Sequence, residues 1–122
     1  MNLREKLDSI NNVQIDETYV SEVESAYQTE LSDEVKRVLS LSKVAVPYED
    51  QMMLRGLSNS EILNASKNLR VDFIEHSVLP VFYTGDNDYA AYDFSERQWC
   101  LFNIVDELKF SESSNLVDVL DI

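Results

Sequence analysis

A chain of 122 residues can bury one core and is too short to divide comfortably into two, so a single domain over residues 1–122 is expected. A hydrophobic share of 44%, with only two glycines and two prolines, excludes a disordered or linker-like polypeptide. Ten Lys and Arg against 23 Asp and Glu leave a formal charge of −13, which argues against direct nucleic-acid binding, because phosphate would be repelled, and suits a basic protein partner.

Residues 1–15 carry a weak apolar pattern, Leu3, Leu7 and Ile10, expected to form a short helix or a loosely held arm. No apolar block there resembles a secretion signal, and no run approaches the roughly 18 apolar residues that span a bilayer, so a cytoplasmic protein without membrane contact is expected. Asp16 is a plausible N-cap for a helix through "ETYVSEVESAYQTE", in which Val20, Val23 and Tyr27 recur at three- and four-residue steps. Leu31 is expected to close that packing. A second helix starts at Ser32, with Val35, Val38 and Leu39 as its stripe and Asp33 and Glu34 at its positive end.

"KVAVPYED" and "QMMLRGL" suggest short extended pieces around an acidic turn, with Pro47 unsuited to a central strand. Ser58 and Glu61 then make a capping-box pattern, predicting a third helix that runs through Ile62, Leu63, Ser66 and Leu69 to about Arg70. From residue 79 the period shifts towards two. "LPVFY" sets Leu79, Val81 and Tyr83 on one side with Phe82 on the other, "GDND" is a turn, and "YAAYDF" and "WCLFNI" follow, joined by "SERQ". A three-stranded antiparallel meander is the expectation, closed by a serine-capped helix bearing Leu116, Val117 and Leu120.

The stretch "LPVFYTGDNDYAAYDFSERQWC" crowds carboxylates among aromatic rings, and residues 71–122 hold eleven acids against only Arg97 and Lys109. One reading is a metal site at Asp86, Asp88 and Asp93. The calcium-loop pattern fails, since Gly85 precedes the acids and no Glu closes the loop, and Asp and Asn are ordinary turn formers. With no nucleophile, zinc or nucleotide motif in the chain, neither a catalytic residue, a metal nor a cofactor is assigned. Cys100, in "WCLF", reads as a small buried hydrophobe. The remaining reading is a partner-binding face: Asp86, Asp88, Asp93 and Glu96 supply charge, and Tyr83, Tyr89 and Tyr92 supply amphipathic anchors for arginine and lysine. Asn87 serves the turn, and Trp99 belongs to the core.

The order of these pieces, with Val20, Glu24 and Leu31, "DEVKRVLSLS", "SNSEILNASKNLRVDFIEHSVLPVF", and "GDNDYAAYDF" followed by "WCLFNIVDEL", resembles the SUKH superfamily, in particular its Smi/Knr-type branch. The likeness covers residues 16–121. Two features depart from it: Leu31-Ser32 stands where a leucine-proline commonly opens the second helix, and "SLSKVAV" stands where asparagine-glycine often follows, implying a different loop around residues 41–50. The resemblance implies an α+β fold, an antiparallel sheet with helices packed on it. It also implies an immunity protein that neutralises a cognate toxin, often a nuclease, by stoichiometric binding. A regulatory scaffold for cellular proteins is the alternative within the family, and a metal-dependent enzyme on the "GDND" turn is the alternative outside it.

Overall fold

The computed structural model describes residues 3–41 and 54–122. The chain is α+β. A helix-rich segment comes first, a short strand and further short helices follow, and four longer strands then complete a five-stranded antiparallel sheet, ordered as in the chain, before a last helix. The expected extended piece "KVAVPYED", the first three residues of "QMMLRGL" and the expected loop after residue 41 lie outside the described residues, while the end of "QMMLRGL" does carry a short strand, Arg55–Gly56.

Helix α1 (Leu3–Asp8) buries Leu3 and Leu7 in the common core and is followed by a 3₁₀ turn at Ile10–Asn12, so the opening residues pack rather than hang as an arm. The Arg37 guanidinium holds the end of this turn by donating to the Asn11 and Val13 carbonyls. Helix α2 (Glu17–Tyr27) begins where expected: the Asp16 carboxylate accepts from the Tyr19 amide at 3.1 Å, and Tyr19, Val20, Val23 and Tyr27 form the buried stripe. Helix α3 (Asp33–Leu41) buries Val35, Val38, Leu39 and Leu41. Its Ser40 is buried and satisfied: the hydroxyl donates to the Lys36 carbonyl at 2.8 Å and accepts from the Asp16 amide at 2.9 Å, tying α3 to the start of α2. Leu31 is buried, and its amide donates to the Glu24 carboxylate across the α2–α3 link.

The strand β1 is short (Arg55–Gly56), and Ser58 then opens α4 (Asn59–Leu63) with the full reciprocal capping box to Glu61. The single helix expected as far as Arg70 is divided at Asn64, whose side chain bonds back to the Ser60 carbonyl, giving a separate α5 (Ala65–Leu69). A short α6 (Phe73–His76), capped by Asp72, lies inside the segment quoted above and was not foreseen.

Strands β2 (Val78–Gly85), β3 (Asp88–Asp93) and β4 (Gln98–Asn103) are the expected meander, and β5 (Leu108–Ser113) extends it at one edge. The expected alternation in β2 is corrected by two irregularities: Pro80 faces Ala91 and Phe82 faces Ala90, leaving Val81 as an extra residue, and Thr84 is extra in the same way. Register therefore puts Leu79 and Phe82 on one face and Tyr83 on the other. Pro80 is tolerated because the ladder to β1 covers Phe82 and Tyr83 and reaches Val81 through the Leu57 amide, so among the described residues no β1 neighbour asks Pro80 for an amide proton. Both faces of β3 and β4 are buried: Ala90 and Ala91, then Trp99, Cys100 and Phe102 are at most 1% exposed. Phe73 and His76 set their rings against Phe102, while Tyr92 and Trp99, on the opposite face, meet edge to face at 5.2 Å. The final helix α7 (Leu116–Leu120) buries Leu116, Val119 and Leu120, with Val117 only half-buried, and its cap is Asn115 rather than a serine.

A buried hydrogen bond joins the helical half to itself: the Tyr27 hydroxyl donates to the Ile62 carbonyl at 2.6 Å, linking α2 to α4. Removing it with Tyr27→Phe keeps the ring and should lower stability by about 1 kcal/mol. Urea denaturation of the two proteins would measure this, and equal midpoints would contradict it.

Candidate functional site

Three tight turns decide where the acids go. The β2–β3 connection is two residues, Asp86 and Asn87, both at positive φ (53° and 66°), as a type I′ turn requires. The β3–β4 and β4–β5 connections are both four-residue loops headed by a residue whose side chain caps the loop. Asp93 Oδ1 accepts from the Ser95 and Glu96 amides and the Ser95 hydroxyl, and Asn103 Oδ1 accepts from the Val105 and Asp106 amides. Arg97 and Glu107, the last residue of each loop, are left-handed at φ 59° and 54°.

In a meander, alternate turns fall at opposite ends of the sheet. Asp86 and Asp88 therefore lie at one end, and Asp93 and Glu96 lie at the other. Of the three carboxylates considered for a metal, Asp93 is separated from Asp86 and Asp88 by the length of β3, and no three His, Cys, Asp or Glu side chains gather as a metal would need among the described residues. The β2–β3 and β4–β5 turns do meet, since the Ile104 amide donates to the Asn87 carbonyl at 3.0 Å and the Asn103 side-chain amide donates to Asp88 at 2.8 Å. Asp106 and Glu107 thereby join Asp86 and Asp88, and residues 85–88 and 103–108 contain no lysine or arginine.

Of the residues expected to bind a partner, Asp86 and Glu96 are exposed, and Tyr83 and Asp88 are half-buried. Tyr89 and Tyr92 are buried, each with less than a tenth of its surface showing, because they lie on the two covered faces of β3. Tyr83 packs its ring on Tyr89 across the β2–β3 pair at 5.1 Å. The visible edge of Tyr92 lines an open cleft of about 440 Å³ with Leu31, Phe94 and Arg97.

Asp93 is the clearest correction. Its side chain is 1% exposed, and beyond its loop-capping bonds it holds the Lys109 ammonium of β5 at 2.9 Å, so its charge is already matched inside the protein. Burial alone would raise its pKa. The Lys109 ammonium, the Glu96 and Ser95 amides and the Ser95 hydroxyl outweigh burial and hold the carboxyl below the ordinary aspartate range. On the same covered side of the sheet, burial, helped by the Asp93 charge, pushes the Cys100 thiol up to about 12.

Asp106, Glu107, Val105 and Leu108 were absent from the sequence-derived face. The signal that could have found them is local: "DFSERQ" and "NIVDEL" share a leading Asx residue and a four-residue loop. Glu107 also meets His76 of α6, Oε1 to Nε2 at 3.0 Å. Compared with protein-family models, curated proteins and solved structures, the chain matches none. No helix among the described residues is long and apolar enough to cross a membrane.

Two measurements test this geometry. Because Asp93 has a lowered folded-state pKa, its stabilising contribution is complete above its unfolded value and is lost as pH falls through the folded one. Wild-type stability should therefore decline below about pH 4, and Asp93→Asn should be less stable at neutral pH by about 2 kcal/mol with a flatter acid limb. Equal acid slopes in chemical denaturation across pH would refute that. Cys100 in the native protein should resist iodoacetamide at pH 8 and react once unfolded, and rapid native alkylation read by mass spectrometry would show an accessible thiol.

Proposed function

We propose that this chain is a cytoplasmic binding protein of the SUKH type, an immunity protein that neutralises a basic toxin domain by stoichiometric contact. The observation that carries the reading is the junction of two turns at one end of the sheet, where Asp86, Asp88, Asp106 and Glu107 collect with no cation in either turn. A net charge of −13 steers a basic partner to the molecule, and a carboxylate cluster held by rigid turns meets lysine and arginine where a nuclease would otherwise meet phosphate. The α+β architecture agrees with the fold that the sequence resemblance implies.

Asp86 and Glu96, at opposite ends of the sheet, cannot serve one small contact together. The working acids are those of the β2–β3 and β4–β5 turns. Asp86 and Asp106 are both exposed, so reversing them to lysine breaks no buried contact; lysine at the left-handed Asp86 costs about 1 kcal/mol, and circular dichroism checks that the variant is folded before binding is measured. Against the co-expressed product of the neighbouring gene, the double variant should associate about tenfold more slowly at low salt and show a shallower salt dependence. Stopped-flow or surface-plasmon kinetics would read this. A one-to-one complex with unchanged kinetics would remove this end of the sheet from the interface, and failure to form any complex would remove the immunity reading.

A further inference from the structure

Among the described residues the exposed large hydrophobics are Val105 at 68%, Leu108 at 62% and Phe110 at 39%, and all three belong to the β4–β5 hairpin. Capping by Asn103 fixes the loop backbone and leaves Val105 standing out from it. Leu108 pairs with Asn103 and Phe110 with Leu101, so both lie on the same face of β5. Leu101 in turn lines a groove of about 270 Å³ with Val119 and Leu120 of α7, its margin set by Asp88 and Asp121. An apolar strip thus runs from the edge of the sheet to α7, bordered by carboxylates.

The strand carrying this strip is the last in the sheet order, so its outer edge has no strand neighbour among the described residues. Ser111, at φ 53°, interrupts the register with β4 and limits the regular edge to Leu108–Phe110. Lys109 is the one lysine or arginine of residues 98–113, and its ammonium is held by Asp93, so Asp106 and Glu112 set the sign of the rim together with Glu107, one oxygen of which meets His76. A second copy of this chain would bring the same carboxylates against one another. A lysine- or arginine-bearing segment would match them.

We propose that the β5 edge is where the protein partner docks: an extended, basic segment covers Val105, Leu108 and Phe110 with apolar side chains and meets Asp106, Glu107 and Glu112 with its cations. This rests on the reading of the chain as an acidic protein-binding domain, and names the surface and the partner's chemistry. The experiment is a titration of ¹⁵N-labelled protein with a short synthetic peptide alternating lysine and valine, beside peptides alternating lysine with serine and glutamate with valine. Expected are shifts in residues 104–113 and Leu101 with the lysine–valine peptide, little with the other two, and roughly tenfold weaker binding to Leu108→Thr, an exposed position whose change leaves the fold intact. Phe110→Ser should weaken binding as well. Equal binding of the lysine–serine peptide, shifts confined to Asp86 and Asn87, no shifts at millimolar peptide, or undiminished binding by Leu108→Thr would each overturn the proposal. A positive titration with no complex from the neighbouring gene's product would leave this surface standing and remove the toxin.

Discussion

The buried carboxylate of Asp93 does three jobs at once. It caps the four-residue loop that turns β3 into β4, and so fixes the register that brings Tyr92 opposite Trp99 and Ala91 opposite Cys100. It reaches β5 through Lys109, adding a side-chain tie to the ladder that holds the edge strand. It also takes the one cation of the β4–β5 hairpin out of play as a surface charge. A charge this deeply buried is tolerable only with its bonds complete, and every one of them comes from the β3–β4 loop or from β5. Fold and surface chemistry are therefore coupled through one residue.

Around that point the sheet is organised by how its turns alternate. A two-residue turn at Asp86-Asn87 and a four-residue loop at residues 104–107 share an end, and cross-bonding by Asp88, Asn103, Asn87 and Ile104 makes the two turns one unit. The backbone that carries these carboxylates is fixed by the turns and their cross-bonds, so their placement at this end does not depend on a long loop. At the opposite end the Asp93 carboxylate is matched by Lys109, while Glu96 and Arg97 are exposed on the loop that Asp93 caps.

Much of the architecture was legible because local signals and tertiary packing agree. The caps at Asp16 and Ser58, the stripe of Val20, Val23 and Tyr27, the "GDND" turn and the burial of Trp99 and Cys100 all follow from rules that act within a few residues. What escaped depends on neighbours distant in sequence. Tyr89 and Tyr92 look like amphipathic anchors in isolation, yet both faces of β3 are covered, and no local pattern says so. Asp93 looks like Asp86 until Lys109 is seen reaching it. The extra residues Val81 and Thr84 shift β2 by one step each, and a strict period of two cannot reveal where it breaks. The strand Leu108–Ser113 shows little alternation because it is an exposed edge, interrupted at Ser111.

Exposed apolar side chains on an edge strand are a liability that has to be offset, since an open ladder edge invites another strand. Here the means of offsetting it also define what may bind. The irregularity at Ser111 shortens the regular edge to three residues, too little for indiscriminate sheet extension. The acidic rim, within a chain of net charge −13, repels copies of itself and most other acidic proteins. A segment must therefore bring both apolar contact and positive charge to gain from the edge. Neither property alone suffices: charge without apolar contact leaves Val105 and Leu108 in water, and apolar contact without charge leaves the carboxylates to lose hydration uncompensated. The same carboxylates that oppose a second copy of the chain would thus select the chemistry of the proposed partner.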